Sequence, residues 1–147
     1  MADMIHLDLV TPERRLVSAD VAEMTAQGFL GQFEALPGHA NYVAVLQPGE
    51  LSYTLEGKKH HLALAGGFAE VSLEHGIRIL ADAAEYADEI DIARAKAAKE
   101  RAEKMLGEFD PHTQGDDLAR AETALKRALA RLHVAEKAGP TAQMGQD

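Results

Sequence analysis

The sequence predicts an α+β fold divided by segments: an N-terminal β-sandwich of short antiparallel strands followed by a C-terminal antiparallel two-helix hairpin. Three observations carry this. Apolar residues alternate with a period of two through the first 84 residues, and turn residues interrupt them about every ten positions, the spacing of an all-β sandwich. After Ala84 the apolar period changes to steps of three and four, which it keeps until Gly139-Pro140.

In MIHLDLV, Ile5, Leu7 and Leu9 alternate with His6 and Asp8. In ELSYTLEG, Leu51, Tyr53 and Leu55 alternate with Ser52, Thr54 and Glu56, so each run should turn one face to a core and the other to water. Turn signals fall at Thr11-Pro12, Pro37-Gly38, Pro48-Gly49, Gly57, Gly66-Gly67 and His75-Gly76. The Gly66-Gly67 pair lacks the GxxxxGK[ST] frame of a phosphate loop and precedes a strand, so it reads as an allowance for close strand packing. The last strand is expected over residues 77–83.

Asp88 is placed to cap the first helix, with Asp91 in the reciprocal capping position, which starts the helix near Glu89. Ala95, Ala98, Ala102, Met105 and Phe109 form a narrow stripe whose alanines let another backbone approach. Asp110-Pro111 ends that helix and a loop is expected over residues 111–115. A second helix from Asp116 or Asp117 carries the matching stripe Leu118, Ala121, Leu125, Ala128, Leu132 and Ala135. The domain division that follows is 1–84 for the sandwich, 85–138 for the hairpin and 139–147 for a disordered tail.

Composition removes several classes of function. The 147 residues include no cysteine, so disulfides, thiolate metal sites and cysteine nucleophiles are excluded. No apolar run approaches the roughly 20 residues of a membrane-spanning helix. The N-terminus shows no basic and apolar leader pattern, so the chain is expected to stay in the compartment where it is made. A formal charge of −9 opposes nucleic-acid binding. The bases are nevertheless segregated: residues 1–84 hold eleven acids and five bases, residues 85–138 twelve acids and ten bases. Adjacent His60 and His61 point to opposite faces of a strand, so no metal site is expected there. No G-x-S-x-G or other catalytic cluster is present, and no catalytic residue is assigned.

Taken in order, the opening strand HLDLVTPER, residues 28–40 ending in PGHA (Pro37, Gly38, His39, Ala40), AGGFAEV, ILADAAE and the helices IDIARAKAAKERAE and ALKRALARLHVAE resemble the epsilon subunit of bacterial F-type ATP synthases over nearly the whole chain. The resemblance implies a non-catalytic rotor subunit in the central stalk, peripheral on the cytoplasmic face of the bacterial inner membrane and associated with the membrane only through its complex. The implied partners are the gamma subunit, the c-ring and, through an extended arm that inhibits ATP hydrolysis, the alpha and beta subunits. Gln32 stands where many members carry an acid before PGHA, which puts an acidic contact to the ring in doubt. His39 reads equally as part of a tight surface turn and as a docking contact.

Basic residues on exposed helices usually have an acid three or four positions away. Lys96, Lys99, Lys104, Arg120 and Lys126 all do, whereas Arg101, Arg127 and Arg131 have none and Arg94 has only Asp91. Arg94 and Arg101 share one face, Arg127 and Arg131 another, and a folded hairpin is expected to bring the two pairs together around an anion. IDIARA (residues 90–95) resembles the ATP-binding signature of some epsilon subunits. By that resemblance Glu85, Ile90, Asp91 and Ala95 lie on the adenosine side and Arg94, Arg101, Arg127 and Arg131 on the phosphate side, with ATP a regulatory ligand and no cofactor required. Two alternatives stay open: arginines that face acidic surfaces of partner subunits, and an autonomous ATP-binding sensor built on the same hairpin.

Overall fold

The computed structural model describes residues 3–28, 31–38, 41–108 and 115–138. His39, Phe109, the expected loop up to residue 114 and the tail at 139–147 lie outside the described residues. Among the described residues ten strands come first: β1 (Ile5–Val10), β2 (Arg15–Val21), β3 (Glu23–Gly28), β4 (Gly31–Ala35), β5 (Tyr42–Leu46), β6 (Gly49–Leu55), β7 (Lys58–Leu64), β8 (Gly67–Ser72), β9 (Gly76–Ala81) and β10 (Ala84–Tyr86). A 3-10 turn (Ala87–Glu89) leads to α1 (Ile92–Gly107) and α2 (Gly115–Ala135).

The strands hydrogen-bond in the order β10-β7-β6-β3-β5-β8-β9-β1-β2, with β4 beside β3. The β1–β9 pair is parallel and the other pairings are antiparallel. This sheet folds over on itself, and Leu7, Leu9, Met24, Leu51, Leu62, Ile77 and Ile79 from its inner faces fill one core. The alternation in β1 survives intact as buried Ile5, Leu7 and Leu9. Two turns show why glycine stands where it does. Glu56 and Gly57 both take positive φ (53° and 79°) in the two-residue hairpin between β6 and β7. At Gly67 a Cβ would lie 2.2 Å from the Leu80 carbonyl oxygen, so the expected close strand packing is real.

Five expectations need correction. Ser52 is buried, not outward in water, because the outer face of β6 and β7 is covered by α2; for the same reason Leu62, Ala63 and Leu64 are all buried in sequence. The strand expected to run through Ala83 stops at Ala81, and pairing resumes in β10, which bonds to β7 and carries the sheet through Tyr86. The first α-helix begins at Ile92 rather than near Glu89: Asp91 is its cap, accepting the Arg94 backbone N–H at 3.1 Å, while Glu89 closes the preceding 3-10 turn. Met105 is exposed, and half-buried Leu106 takes its inward place, because a step of four from Ala102 serves the seam better than a step of three. None of the expected ion pairs of Lys96, Lys99, Lys104, Arg120 and Lys126 closes among the described residues. Exposed pairs of this kind contribute only a few tenths of a kcal/mol, too little to hold two long side chains in one geometry.

Candidate functional site

The two helices pack along alanines: Ala95 and Ala102 of α1 and Ala121 and Ala128 of α2 are buried. The other side of α2 lies on β6 and β7, where Ala63, Ile90, Val134 and Ala135 form a small buried cluster with Ala87 packed against it. Arg127 and Arg131, one helical turn apart, also face the sandwich. The Arg127 Nε donates to the Ala65 carbonyl at 3.0 Å. The Arg131 guanidinium grips Glu85 with two bonds, Nε to Oε1 at 2.7 Å and an Nη to Oε2 at 3.3 Å. These three side chains, with Ala63, Leu64, Ala65, Ala83 and Ala84, line a cleft of about 280 Å³. Arg127 reaches on into a neighbouring cleft of about 500 Å³ that includes Phe68, Leu80, Asp82 and Thr123. Guanidinium forks of this kind suit carboxylate or phosphate oxygens.

The neck between sheet and arm is tied separately. Arg14, from the turn between β1 and β2, makes two bonds to Glu89 at 2.9 and 3.0 Å and one to the Ala84 carbonyl at 3.4 Å. Glu89 also accepts the Tyr86 backbone N–H at 3.0 Å. The Arg14 hydrogen bond holds the Glu89 carboxyl below its usual range. The Tyr86 hydroxyl donates to the Leu16 carbonyl at 3.2 Å, so the buried Tyr53 hydroxyl donates to Tyr86 at 2.9 Å. Burial and that bond push Tyr53 well above the ordinary tyrosine value. Sequence reasoning missed the neck because Arg14 and Glu89 are 75 positions apart and no local pattern links them.

The residues singled out in the sequence separate in space. Glu85, Arg127 and Arg131 share the cleft, whereas Arg94 and Arg101 do not line it; both are exposed and make no side-chain ion pair among the described residues. Arg131 is not unpartnered, since its acid comes from a strand 46 positions earlier rather than from its own helix. Ile90 is buried in the small cluster, Asp91 is spent on the helix cap, and Ala95 is fully buried in the hairpin seam. Gln32 is exposed on β4 opposite Gln27, and it borders a third cleft with Glu50 and His133; His39 lies outside the described residues. His60 stacks on Tyr53 at 4.9 Å, and His61 meets Glu50 at 3.2 Å.

Comparison with known proteins covers the same two parts. Residues 4–87 match the family model described as ATP synthase, Delta/Epsilon chain, beta-sandwich domain. Residues 88–136 match the long alpha-helix domain of the same chain. An ATP synthase epsilon chain of Geobacter sulfurreducens is 46% identical over 138 residues, 94% of this chain and 98% of that one. One from Nitratidesulfovibrio vulgaris is 44% identical over 134 residues, 91% and 97% of the two chains. Among solved structures, a chain of the Euglena gracilis mitochondrial ATP synthase (OSCP/F1/c-ring, rotational state 1) superposes with a TM-score of 0.75 at 28% identity, covering 90% of this chain and 81% of that one. A chain of the Tetrahymena thermophila central stalk and c-ring shares the fold, with a TM-score of 0.58 at 14% identity and coverage of 90% and 94%. Sandwich, hairpin and relatives agree over nearly the full length: the chain belongs to the family of ATP synthase epsilon chains.

Proposed function

We propose that this chain is a non-catalytic central-stalk subunit whose sandwich docks on the gamma subunit and the c-ring and whose hairpin is a movable arm that restrains ATP hydrolysis. The observation that carries the reading is the unequal construction of its two parts. The sandwich has a full core of its own, while the arm rests on it through a cluster of four buried residues and two arginines. Such an arm can leave without unfolding what it leaves behind. The likeness to a chain of the Euglena OSCP/F1/c-ring assembly supports a place beside the head and the ring.

A docking face is at hand on the sandwich. Val45, Phe68 and Leu80 stand in register across β5, β8 and β9, each at least 40% exposed, with Val43 beside them. An apolar row on an outward sheet face is the kind of surface a partner covers. ATP is the proposed signal, entering where Arg127 and Arg131 face the cleft and favouring the compact arm because it binds that state better. The setting is the cytoplasmic face of the bacterial plasma membrane, reached through the complex; no helix among the described residues is long and apolar enough to cross it.

A chain cut after Asp91 keeps the Arg14–Glu89 neck and tests the division of labour. It is expected to assemble with gamma and the c-ring and to raise ATP hydrolysis by the assembled enzyme. Failure of the folded truncation to bind gamma would remove the docking role, and unchanged hydrolysis would remove the inhibitory one. A full-length chain that binds ATP and never co-purifies with gamma would instead be a free sensor.

A further inference from the structure

The cleft beneath the arm already holds an anion, and that anion is part of the chain. Glu85 sits on β10, fixed by pairing on either side of it, Ala84 with Leu64 and Tyr86 with Leu62. Its carboxylate fills the Arg131 fork with two bonds while both side chains are mostly screened from water, 24% exposed for Arg131 and 33% for Glu85. One turn away Arg127 is satisfied differently, by the neutral carbonyl of Ala65, so its charge is not cancelled there. Asp82 borders the neighbouring cleft with Arg127 without closing an ion pair. The cleft between strand and helix therefore carries two cations and one carboxylate.

We propose that Glu85 is a built-in competitor for the arm's arginines: it latches α2 to the sandwich by occupying Arg131, and a phosphate-bearing ligand enters only by displacing it. The competition rests on the nucleotide reading above, while the latch stands without it. Carboxylate and phosphate oxygens make the same charge-assisted contacts to a guanidinium, so they exclude one another at a single fork. The compact arm then needs no ligand to form, and nucleotide affinity is set partly by how firmly Glu85 holds on.

Two measurements on the full chain test this. The chain has no cysteine, so spin labels can be placed cleanly at Lys58→Cys on the sandwich and Ala119→Cys on α2, both exposed positions. Without nucleotide, Glu85→Gln should broaden the label distance distribution, and the charge exchange Glu85→Arg with Arg131→Glu should narrow it again. A distribution unchanged by Glu85→Gln overturns the latch. In calorimetry with inorganic tripolyphosphate, which has no adenosine for Glu85 to touch, Glu85→Gln should bind roughly tenfold tighter than the parent, the scale of one charge-assisted bond. Equal or weaker binding overturns the competition. Absence of binding of both tripolyphosphate and ATP by parent and variant overturns the competition together with the nucleotide reading, and the label distances then judge the latch alone.

Discussion

The sandwich and the hairpin bury different things. The fully buried side chains of the sandwich are large, among them Leu7, Leu9, Met24, Leu51, Leu62, Ile77 and Ile79. Among the described residues, the two helices bury alanines along their seam, and against the sheet Val134 is buried together with Ile90 from the neck. Free energy follows apolar area, at about 25 cal/mol per Å². An alanine seam lets two backbones come close but removes little area from water. Hydrophobic contact in the sandwich is therefore enough to define a single state, whereas in the arm it leaves polar contacts a deciding share. Arg131–Glu85 and Arg127–Ala65 matter because the apolar contact beneath them is small.

That contrast can be broken at its strongest point. Leu62→Ala empties a fully buried site in the sandwich core and should cost about 2–5 kcal/mol, lowering the midpoint of global unfolding. Val134→Ala, equally buried but in the small cluster under the arm, should cost about 1–2 kcal/mol, two methylene equivalents. It should appear as faster amide exchange in α2 with sandwich amides unchanged. If both variants lower global unfolding alike, arm and sandwich are one cooperative unit and the contrast is wrong.

A smaller effect tests whether the arm begins where the structure starts it. Asp91→Ala removes the cap of α1 and should destabilise that helix by about 1 kcal/mol. Amide exchange in residues 92–95 should rise, while Asp88→Ala should leave those amides protected. The smallest effect concerns the neck. Arg14 lowers the Glu89 carboxyl in the folded chain, so its contribution is complete above the ordinary carboxylate range near pH 4.3 and fades as pH falls through the lowered value. Carboxyl NMR should place Glu89 below that range, and Arg14→Ala should return it there. Both groups are more than a third exposed, so the gain in stability is modest.

The two-part plan, the amphipathic strands and the paired helical stripes are legible in the sequence, which carries them because they depend on the periods of two and 3.6 that local backbone geometry imposes. It also marked the glycine pair at Gly66-Gly67 as a place of close packing, since a missing Cβ is visible without a structure. Tertiary structure alone decided what those patterns touch. The period of two in β6 and β7 failed at Ser52 and Ala63 because a helix more than 50 positions later covers the outer face, and no local window contains that helix. Periodicity put Met105 in the seam, and only the packing of the neighbouring helix put Leu106 there instead. Arginines without an acid on their own helix drew attention in the sequence, but their partners, Glu85 and the Ala65 carbonyl, became visible only when the chain folded back, because an ion pair depends on distance in space and a sequence records distance along the chain.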